Sequence, residues 1–274
     1  MSDGIDLGNQ VAVVTGGGGG IGGATSSTLA AAGAEVVVAE IDEQRAKDTV
    51  ERIRAAGHSA DAVVLDVRDR AAVEQLATTV LERHGRADIL VNNVGHYLQP
   101  LPFLESDPAH WDALHNVNLL HVLLCCRAFL PGMVERGEGS IVNVTSVEGL
   151  RGYPVDPTYG AYKAAVTHFT RCLALEVAPH GVRVNAIAPD VTQSLQVDYD
   201  AMVPADLADH WPVWVPLGRR GEGDDNADVV LFLASSLSRF VTGHVIPTDG
   251  GTLVAGGWFR IMGRGRWTNR PRNP

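Results

Sequence analysis

The sequence has few cysteines, and their spacing forms no recognisable framework. Only Cys125, Cys126 and Cys172 occur among 274 residues. An odd number, with two of them adjacent, provides neither a disulfide pattern nor the spacing of a metal site. We therefore expect buried thiols in a reducing compartment, and no structural or catalytic metal.

Long apolar runs and excess positive charge are also absent from this sequence. No segment reaches the roughly 18 consecutive apolar residues of a membrane span. The opening residues, MSDGIDLGNQ, lack the basic and apolar stretches of a signal peptide. Lys and Arg number 22 against 32 Asp and Glu, for a net charge of −10, which disfavours nucleic acid and anionic membranes as partners. We expect a cytoplasmic protein that acts on a small molecule.

Short β-branched runs alternate with longer helical patterns along most of the chain. The pattern predicts strands at 11–15, 35–40, 60–65, 88–92, 140–145, 182–188 and 245–247. It predicts helices at 21–32, 44–56, 71–83, 108–135 and 159–178. Such alternation indicates an α/β fold, a doubly wound parallel sheet with crossover helices. No linker interrupts it, so residues 1–274 are predicted to form a single domain, with an irregular stretch at 193–220 and a C-terminal extension at 252–274.

A glycine-rich turn follows the first predicted strand. Thr15 is followed by GGGGGIGG, after which a helix is predicted. Glycines in this context let backbone N–H groups approach a pyrophosphate at the helix N-terminus, as in Rossmann-type folds. Glu40 ends the second strand, 18 positions after Gly22. Its carboxylate can bind both ribose hydroxyls and repel a 2′-phosphate, which favours NAD; alternatively, Glu40 is a solvated residue at a strand end.

Tyr159 and Lys163 are four residues apart on a predicted helix and therefore share a face. A phenol is a poor base at neutral pH, and a fixed cation nearby favours the phenolate. Lowering its pKa by about three units requires roughly 4 kcal/mol, which a cation and hydrogen bonds in a dry cleft could supply. Tyr162 is adjacent to Lys163 and faces elsewhere. By itself, a Tyr/Lys pair at this spacing is often a surface feature.

Further motifs occur in a fixed order, and the chain resembles the short-chain dehydrogenase/reductase family over about residues 8–252. Ser146 precedes Tyr159 by 13 residues, as is usual in that family. The matching motifs are the glycine turn with Gly16, Gly20, Ile21 and Gly22; the pair Asp66-Val67; the turn Asn92-Asn93-Val94-Gly95; Asn118 within NVNL; IVNVTS ending in Ser146; and RVNAIAP ending in Pro189.

The resemblance implies four catalytic residues. Tyr159 would exchange the proton of the alcohol, Ser146 would hold the substrate oxygen, Lys163 would lower the tyrosine pKa and bind the nicotinamide ribose, and Asn118 would support a water relay. It implies a homotetramer and no metal. The implied cofactor contacts are Gly16, Gly20, Ile21, Gly22, Glu40, Asp66, Val67, Asn92, Gly95, Tyr159, Lys163, Pro189, Thr192 and Ser194.

Three positions near the expected nicotinamide depart from the family pattern. Asp190 follows Pro189 at the position where the family usually has glycine, and we expect it to tolerate a left-handed backbone conformation. If its charge lies near the nicotinamide, it would favour the oxidised cofactor; alternatively, it caps its own loop. Ser194 replaces a common threonine, with Thr192 the weaker candidate. Glu148 is an unusual residue two positions after Ser146, and it either points into the pocket or is solvated.

The leading interpretation is an oxidoreductase that transfers a hydride between NAD(H) and a secondary alcohol or ketone. An apolar or cyclic substrate is suggested by aromatic and apolar residues in the segments that line the family's pocket. One alternative is an NADPH-dependent 3-ketoacyl-thioester reductase, which Glu40 disfavours. Another is a cofactor-binding protein without catalysis, which the intact set of Ser146, Tyr159, Lys163 and Asn118 argues against.

The C-terminal extension has a composition of its own. It carries five arginines and no acidic residue, together with Trp258, Phe259 and Trp267. Disordered tails are usually poor in such aromatics. We therefore expect an ordered arm that anchors its aromatics, pairs arginines with acidic surface and reaches a neighbouring subunit or the pocket mouth. A floppy basic tail is the alternative.

Overall fold

Seven parallel strands form the central sheet in this computed structural model, which describes residues 5–261 and 267–268. Their order is β3-β2-β1-β4-β5-β6-β7. Chain order therefore reverses on the two sides of β1, which opens a crevice at the carboxyl ends of β1 and β4. The strands are β1 Val11–Thr15, β2 Glu35–Glu40, β3 Ala60–Val64, β4 Ile89–Asn92, β5 Gly139–Val144, β6 Val182–Pro189 and β7 Val245–Thr248.

Helices cover both faces of the sheet, so its strands are apolar on both sides. One core layer lies between the sheet and α3, α5 and α6, and the other between the sheet and α1, α2 and α9. The helices are α1 Gly20–Ala31, α2 Glu43–Ala55, α3 Arg70–His84, α4 Pro108–His115, α5 His121–Arg136, α6 Pro157–Val177, α7 Tyr199–Met202, α8 Trp211–Trp214, α9 Gly223–Ala234 and α10 Thr252–Ala255.

The predicted doubly wound parallel sheet is confirmed, with each predicted strand within one residue of its observed bounds. Helix α9 was missed, although it packs closely on α1. Its first turn is polar and follows an irregular stretch, so its apolar period is visible only in the second half. A capping box between Glu222 and Asp225 marks its start, and this was the signal in the sequence that could have revealed it.

The helix predicted at 108–135 is two α-helices joined by a π-helical turn, Asn116–Leu120. By length and composition alone, Pro108–Arg136 could cross a membrane, with a mean hydropathy of 1.7. The test for consecutive apolar residues did not identify this segment. Here α5 packs on the sheet and buries Cys125, Phe129 and Met133. A core position thus accounts for the apolar residues on that face, while 39% of the most apolar window is buried in all. Cys125 and Cys126 are buried as expected, whereas the expectation for Cys172 is wrong, since it is exposed.

The C-terminal extension begins with α10 and turns at Gly256 and Gly257, which both have positive φ. Phe259–Arg260 (β8) then pairs antiparallel with Trp267–Thr268 (β9). Phe259 meets the ring of Trp214 in α8 edge-on, at 6.0 Å between centroids. Trp258 and Phe259 remain about half exposed. The predicted roles of Arg264, Arg266, Arg270 and Arg272 lie outside the described residues.

Candidate active site

A cleft of about 760 Å³ opens at the carboxyl ends of the strands. It extends from the glycine turn and the end of β2 to the turn after β5 and the start of α6. Of the predicted site residues, it is lined by Gly16, Gly20, Ile21, Glu40, Asp66, Val67, Gly95, Ser146, Tyr159, Lys163, Pro189, Thr192 and Ser194. Most of the residues predicted as site residues therefore line the same cleft.

The glycine turn is so tight that side chains cannot be added to it. Gly16 and Gly20 have φ of +62° and +53°, a region that disfavours other residues. A Cβ on Gly22 would lie 2.1 Å from the Gly16 carbonyl oxygen. Gly22 does not line the cleft; it supports the turn from behind. We predicted a direct cofactor contact for Gly22, whereas the structure gives it a role in shaping the loop.

Glu40 is buried at one end of the cleft, and backbone amides hold its carboxylate in place. One oxygen accepts from Gly18 N at 3.1 Å, and the other from Ile41 N at 3.0 Å and Asp42 N at 3.2 Å. Backbone N–H groups position the charge while leaving lone pairs for further donors. The alternative of a solvated strand-end glutamate does not fit this burial, since Glu40 is only 7% exposed.

Two arginines also line this end of the cleft, although sequence analysis found no basic residue in the glycine turn. Arg45 pairs with Asp42 at 3.4 Å. Arg68 holds the carboxylate of Asp66 at 2.6 Å, and this pairing lowers the pKa of Asp66. Both guanidinium groups are therefore neutralised by neighbouring carboxylates, but they are the cations that a 2′-phosphate would meet.

Asn92 is not in the cleft, which contradicts its prediction as a cofactor contact. Its amide donates to Asn143 Oδ1 at 2.9 Å and to Cys126 Sγ, so it ties β4 to β5 and α5. The next residue, Asn93, lines the cleft and donates to Thr15 O and Gly16 O. Strand residues alternate between faces, and the Asn-Asn pair alone did not show which amide points toward the ligand.

Asn118 lies behind the cleft, in the π-helical turn. Its Oδ1 accepts from His96 N at 3.1 Å and its Nδ2 donates to His96 O at 2.8 Å. Asn118 therefore fixes the backbone after Gly95. A Cβ on Gly95 would lie 2.6 Å from Lys163 Nζ, so glycine lets the ammonium group approach this backbone closely.

Tyr159, Lys163 and Ser146 meet at the other end of the cleft. Lys163 Nζ lies 5.9 Å from the centroid of the Tyr159 ring and donates to Val144 O at 3.2 Å. Ser146 interacts with the Tyr159 phenol by a hydrogen bond. Tyr162 points away and meets His115 edge-on. The structure therefore brings together the predicted tyrosine, lysine and serine and separates the second tyrosine from them.

The pKa of Tyr159 differs from the sequence prediction. Burial raises the pKa of the phenol above its usual range, and the hydrogen bond from Ser146 only partly opposes this effect. Burial also lowers the pKa of Lys163 to about 8. Desolvation is therefore the main influence on both groups, and it disfavours the charged form of each. A phenolate at neutral pH would need additional positive charge or donors in the cleft.

Two residues that were not predicted as site residues, Asp156 and His110, position Tyr159. Asp156 caps the N-terminus of α6, where its Oδ1 accepts from Thr158 N and Tyr159 N. Its Oδ2 contacts His110 Nε2 of α4 at 3.1 Å. The sequence Asp-Pro just before Tyr159 is a typical helix start, and it was the available signal. The cap fixes the angle at which Tyr159 enters the cleft.

The loop after β6 carries the unusual Asp190. Its Oδ1 accepts from Val191 N at 2.9 Å, and its Oδ2 accepts from Arg151 at 2.9 Å and from Thr252. The left-handed conformation expected at Asp190 falls on Val191 instead, with φ of +41°, a strained position for a β-branched residue. Arg151 pairs with Asp190 but is shared with Glu148, so it only partly offsets the charge on which the expected preference for an oxidised cofactor rests.

Residues 192–197 cross the cleft as a strap. Gln196 Nε2 donates to Gly95 O at 2.6 Å, and the Tyr97 hydroxyl donates to Gln196 O at 3.0 Å. Leu195 reaches the glycine turn, because a Cβ on Gly19 would lie 2.4 Å from its Cδ1. Ser194 Oγ accepts from Gln196 N and Val197 N. The two predicted hydroxyls, Thr192 and Ser194, thus lie at the base of this strap.

The cleft has the features that a nicotinamide dinucleotide requires. A glycine turn with positive φ can approach a pyrophosphate, a buried carboxylate lies at the ribose end, and a Cβ-free position at Gly95 lies beside the lysine. A pyrophosphate at the start of α1 would meet the positive end of that helix. The residues therefore fit such a cofactor.

A separate cluster away from the cleft bears on the expected absence of metal. Ligand atoms of Glu35, Asp61 and His84 lie within 4.8 Å of one another. His84 contacts Glu35 at 3.1 Å and Asp61 at 3.7 Å, and Arg54 pairs with Asp61 at 2.7 Å. The group is an ion-paired cluster in which an arginine already occupies one carboxylate.

Comparison with known proteins defines the class. Residues 16–252 match the family model described as Enoyl-(Acyl carrier protein) reductase. A structure described as a short-chain dehydrogenase/reductase from Burkholderia xenovorans superposes with a TM-score of 0.85 at 36% identity, covering 92% of this chain and 99% of that one. The chain belongs to the short-chain dehydrogenase/reductase family and is an oxidoreductase of that family.

Curated relatives differ in what their names say they act on. The chain is 36% identical to the 3-oxoacyl-[acyl-carrier-protein] reductase FabG of Thermotoga maritima, over 90% of this chain and 99% of that one. It is 36% identical to the 2,5-dichloro-2,5-cyclohexadiene-1,4-diol dehydrogenase LinX of Sphingobium indicum, over 90% and 98%. It is 38% identical to the cis-4-hydroxycyclohexanecarboxylate dehydrogenase of Sinomonas cyclohexanicum, over 88% and 96%. The chain is almost equally identical to all three relatives, and their names give different substrates.

Proposed function

We propose that this protein is an NAD-dependent dehydrogenase of cyclic secondary alcohols. The observation that carries the cofactor choice is Glu40, whose buried carboxylate is held by three backbone amides at the ribose end of the cleft. A fixed carboxylate accepts hydrogen bonds from ribose hydroxyls and repels a 2′-phosphate. Arg45 and Arg68 are already paired with Asp42 and Asp66, so they offset this repulsion only weakly.

In the proposed reaction, Ser146 hydrogen-bonds the alcohol oxygen and Tyr159 removes the proton of the alcohol. A nicotinamide dinucleotide held by the glycine turn, Glu40 and Lys163 would supply the hydride acceptor. Lys163 anchors the ribose and Asn118 holds the backbone beside it. The positive charge of an oxidised nicotinamide would oppose the desolvation that raises the pKa of Tyr159. The chain's own residues thus supply orientation and proton transfer.

The cyclic-alcohol proposal is supported by the substrate end of the cleft and by two relatives. Tyr97, Tyr153, Tyr199, Val155 and Met202 line this end, and apolar ring surfaces pack well against aromatic side chains. LinX and the Sinomonas enzyme are both named for six-membered ring alcohols.

The second candidate is an NADPH-dependent 3-ketoacyl-thioester reductase. It is favoured by the similarity to FabG and by the two arginines at the ribose end. A cofactor-binding protein without catalysis is the third candidate. The complete set of Ser146, Tyr159, Lys163 and Asn118 around one cleft argues against it.

A cofactor and substrate screen tests these candidates. We expect kcat/KM with NAD to exceed that with NADP by more than roughly tenfold, because of the repulsion at Glu40. Turnover should appear with cyclohexanols and be weaker with acetoacetyl-CoA and NADPH. Equal use of both cofactors would overturn the NAD assignment, and no turnover with any pair would favour the third candidate.

A further inference from the structure

Glu148 and Asp190, which both depart from the family pattern, meet Arg151 at the substrate end of the cleft. Arg151 donates to Glu148 Oε1 at 2.8 Å and to Asp190 Oδ2 at 2.9 Å. Glu148 and Asp190 line the cleft, with side chains only 15% and 12% exposed. Two departures from the family pattern, on separate loops, are thus joined by one guanidinium.

The two carboxylates are not equally occupied. Asp190 accepts from Val191 N, Arg151 and Thr252, which uses most of its acceptor capacity. Within the part of the chain that the structure describes, Glu148 accepts side-chain hydrogen bonds only from Arg151, at 2.8 Å through Oε1 and at 3.4 Å through Oε2. An ionised carboxylate has about four acceptor positions. Glu148 therefore keeps free lone pairs facing the cleft.

The cluster also keeps a net negative charge, because one arginine faces two carboxylates. Tyr153 and Tyr199 lie near both carboxylates. Burial raises the pKa of each phenol, and the negative charges of Glu148 and Asp190 raise it further. These phenols therefore remain neutral. The result is a wall with hydrogen-bond acceptors and aromatic faces, beside the reactive Ser146 and Tyr159.

We infer that Glu148 is a specificity-determining residue that accepts a hydrogen bond from a second hydroxyl of the substrate and excludes anionic substrates. The substrate class is then a neutral ring diol or polyol, and Arg151 is the positioning residue that holds Glu148 against the Asp190 loop. This inference rests on the proposed function. It differs from the proposal of a merely apolar pocket, because a buried acceptor left without a donor disfavours a substrate that lacks the second hydroxyl.

The test uses the full-length enzyme with NAD and three kinds of probe. These are cyclohexanol, the cyclohexanediols with 1,2-, 1,3- and 1,4-hydroxyls, and 4-hydroxycyclohexanecarboxylate as the anion. We expect kcat/KM for at least one diol to exceed that for cyclohexanol by about tenfold or more. The carboxylate should be the poorest of the three, since like charges repel strongly in a partly desolvated cleft.

Glu148→Gln then separates the residue from the rest of the pocket. The ratio of kcat/KM for the preferred diol to that for cyclohexanol should fall by about tenfold, and the ratio for the carboxylate to cyclohexanol should rise. Glu51→Gln, on the exposed face of α2, is the matched control and should leave both ratios as in the wild type.

The outcomes distinguish this inference from the proposed function. If no alcohol is oxidised with either cofactor, the proposed function fails. If ring alcohols are oxidised but the wild type does not discriminate between diol and cyclohexanol, the function stands and the inference is wrong. Unchanged ratios in Glu148→Gln also overturn it. Because the wild-type ratios need no variant, poor folding of Glu148→Gln would still leave a decisive measurement.

Discussion

Tyr159 and Tyr162 are three residues apart in the sequence, but their side chains lie in different surroundings. Tyr159 lines the cleft beside Ser146, whereas Tyr162 packs edge-on against His115. We expect Tyr159→Phe to lower kcat by roughly a hundredfold or more, because it removes the proton-transfer group, while NAD binding measured by calorimetry survives. Tyr162→Phe is the control and should be mild. A crippling effect of Tyr162→Phe would show that the wrong tyrosine was assigned.

His121 is a fully buried residue near Lys163. Neither ring nitrogen has a hydrogen-bond partner among the residues that the structure describes. Burial, with a smaller contribution from the Lys163 charge, lowers its pKa from 6.5 to about 3, and the backbone of Val94 opposes this weakly. A histidine that stays neutral in the fold costs stability wherever the unfolded chain would protonate it.

The stability of the protein should therefore fall as pH decreases from 6.5 toward 3, by up to about 1.4 kcal/mol per pH unit from this residue. We expect His121→Leu to remove that slope, so that its stability relative to wild type improves by about 2 kcal/mol between pH 7.5 and pH 5. Urea unfolding at both pH values measures it. His168→Leu, at an exposed position of α6, is the control. The same pH slope in His121→Leu and wild type would contradict the assignment.

Among the elements, the strap formed by residues 192–197 lies across the cleft. Two hydrogen bonds through Gln196 hold it to Gly95 and Tyr97, and Leu195 covers Gly19. We expect Gln196→Ala to increase both the association and dissociation rates of NADH, because the strap opens more easily. Stopped-flow fluorescence measures these rates. Gln75→Ala on α3 is the control, and rates in Gln196→Ala equal to those of the control would exclude a gating role.

Helix boundaries show where local signals were sufficient. Asp42, Asp69 and Asp156 each cap the helix that follows them, and glycines end α3 and α5 in left-handed conformations. These signals act within four residues, so the sequence reveals them. The π-helical turn at Asn116–Leu120 has no such local signature, because it depends on how Asn118 meets the His96 backbone.

At the scale of the whole molecule, we propose a homotetramer in which the C-terminal arm stabilises the substrate end of the cleft. Thr252 donates to Asp190, and Phe259 packs on Trp214 of α8, so the arm contacts two segments near the cleft. Exposed apolar side chains at Leu175, Leu237 and Phe240 are consistent with further burial between subunits.

Truncation after Ala255 should lower the melting temperature or raise KM for the alcohol, with little change in KM for NAD, because the glycine turn and Glu40 lie far along the chain from the arm. Differential scanning fluorimetry and steady-state kinetics measure these effects, and light scattering reports the oligomeric state. Phe259→Ala tests the Trp214 contact alone. Wild-type melting temperature, assembly and kinetics in the truncated enzyme would show that the arm is dispensable, and a monomeric full-length enzyme would contradict the tetramer.

The order of the strands and of most helices, the glycine turn and the Tyr159–Lys163 pair could be predicted from the sequence, because periodicity, caps and spacing are local properties, and Ser146 followed from the family resemblance. The tertiary structure places Asn93 rather than Asn92 at the cleft and packs α9 on α1. It also joined Glu148 to Asp190 through Arg151 and raised the pKa of Tyr159 by burial. These depend on contacts between residues distant in sequence and on desolvation, and neither is encoded in a local pattern.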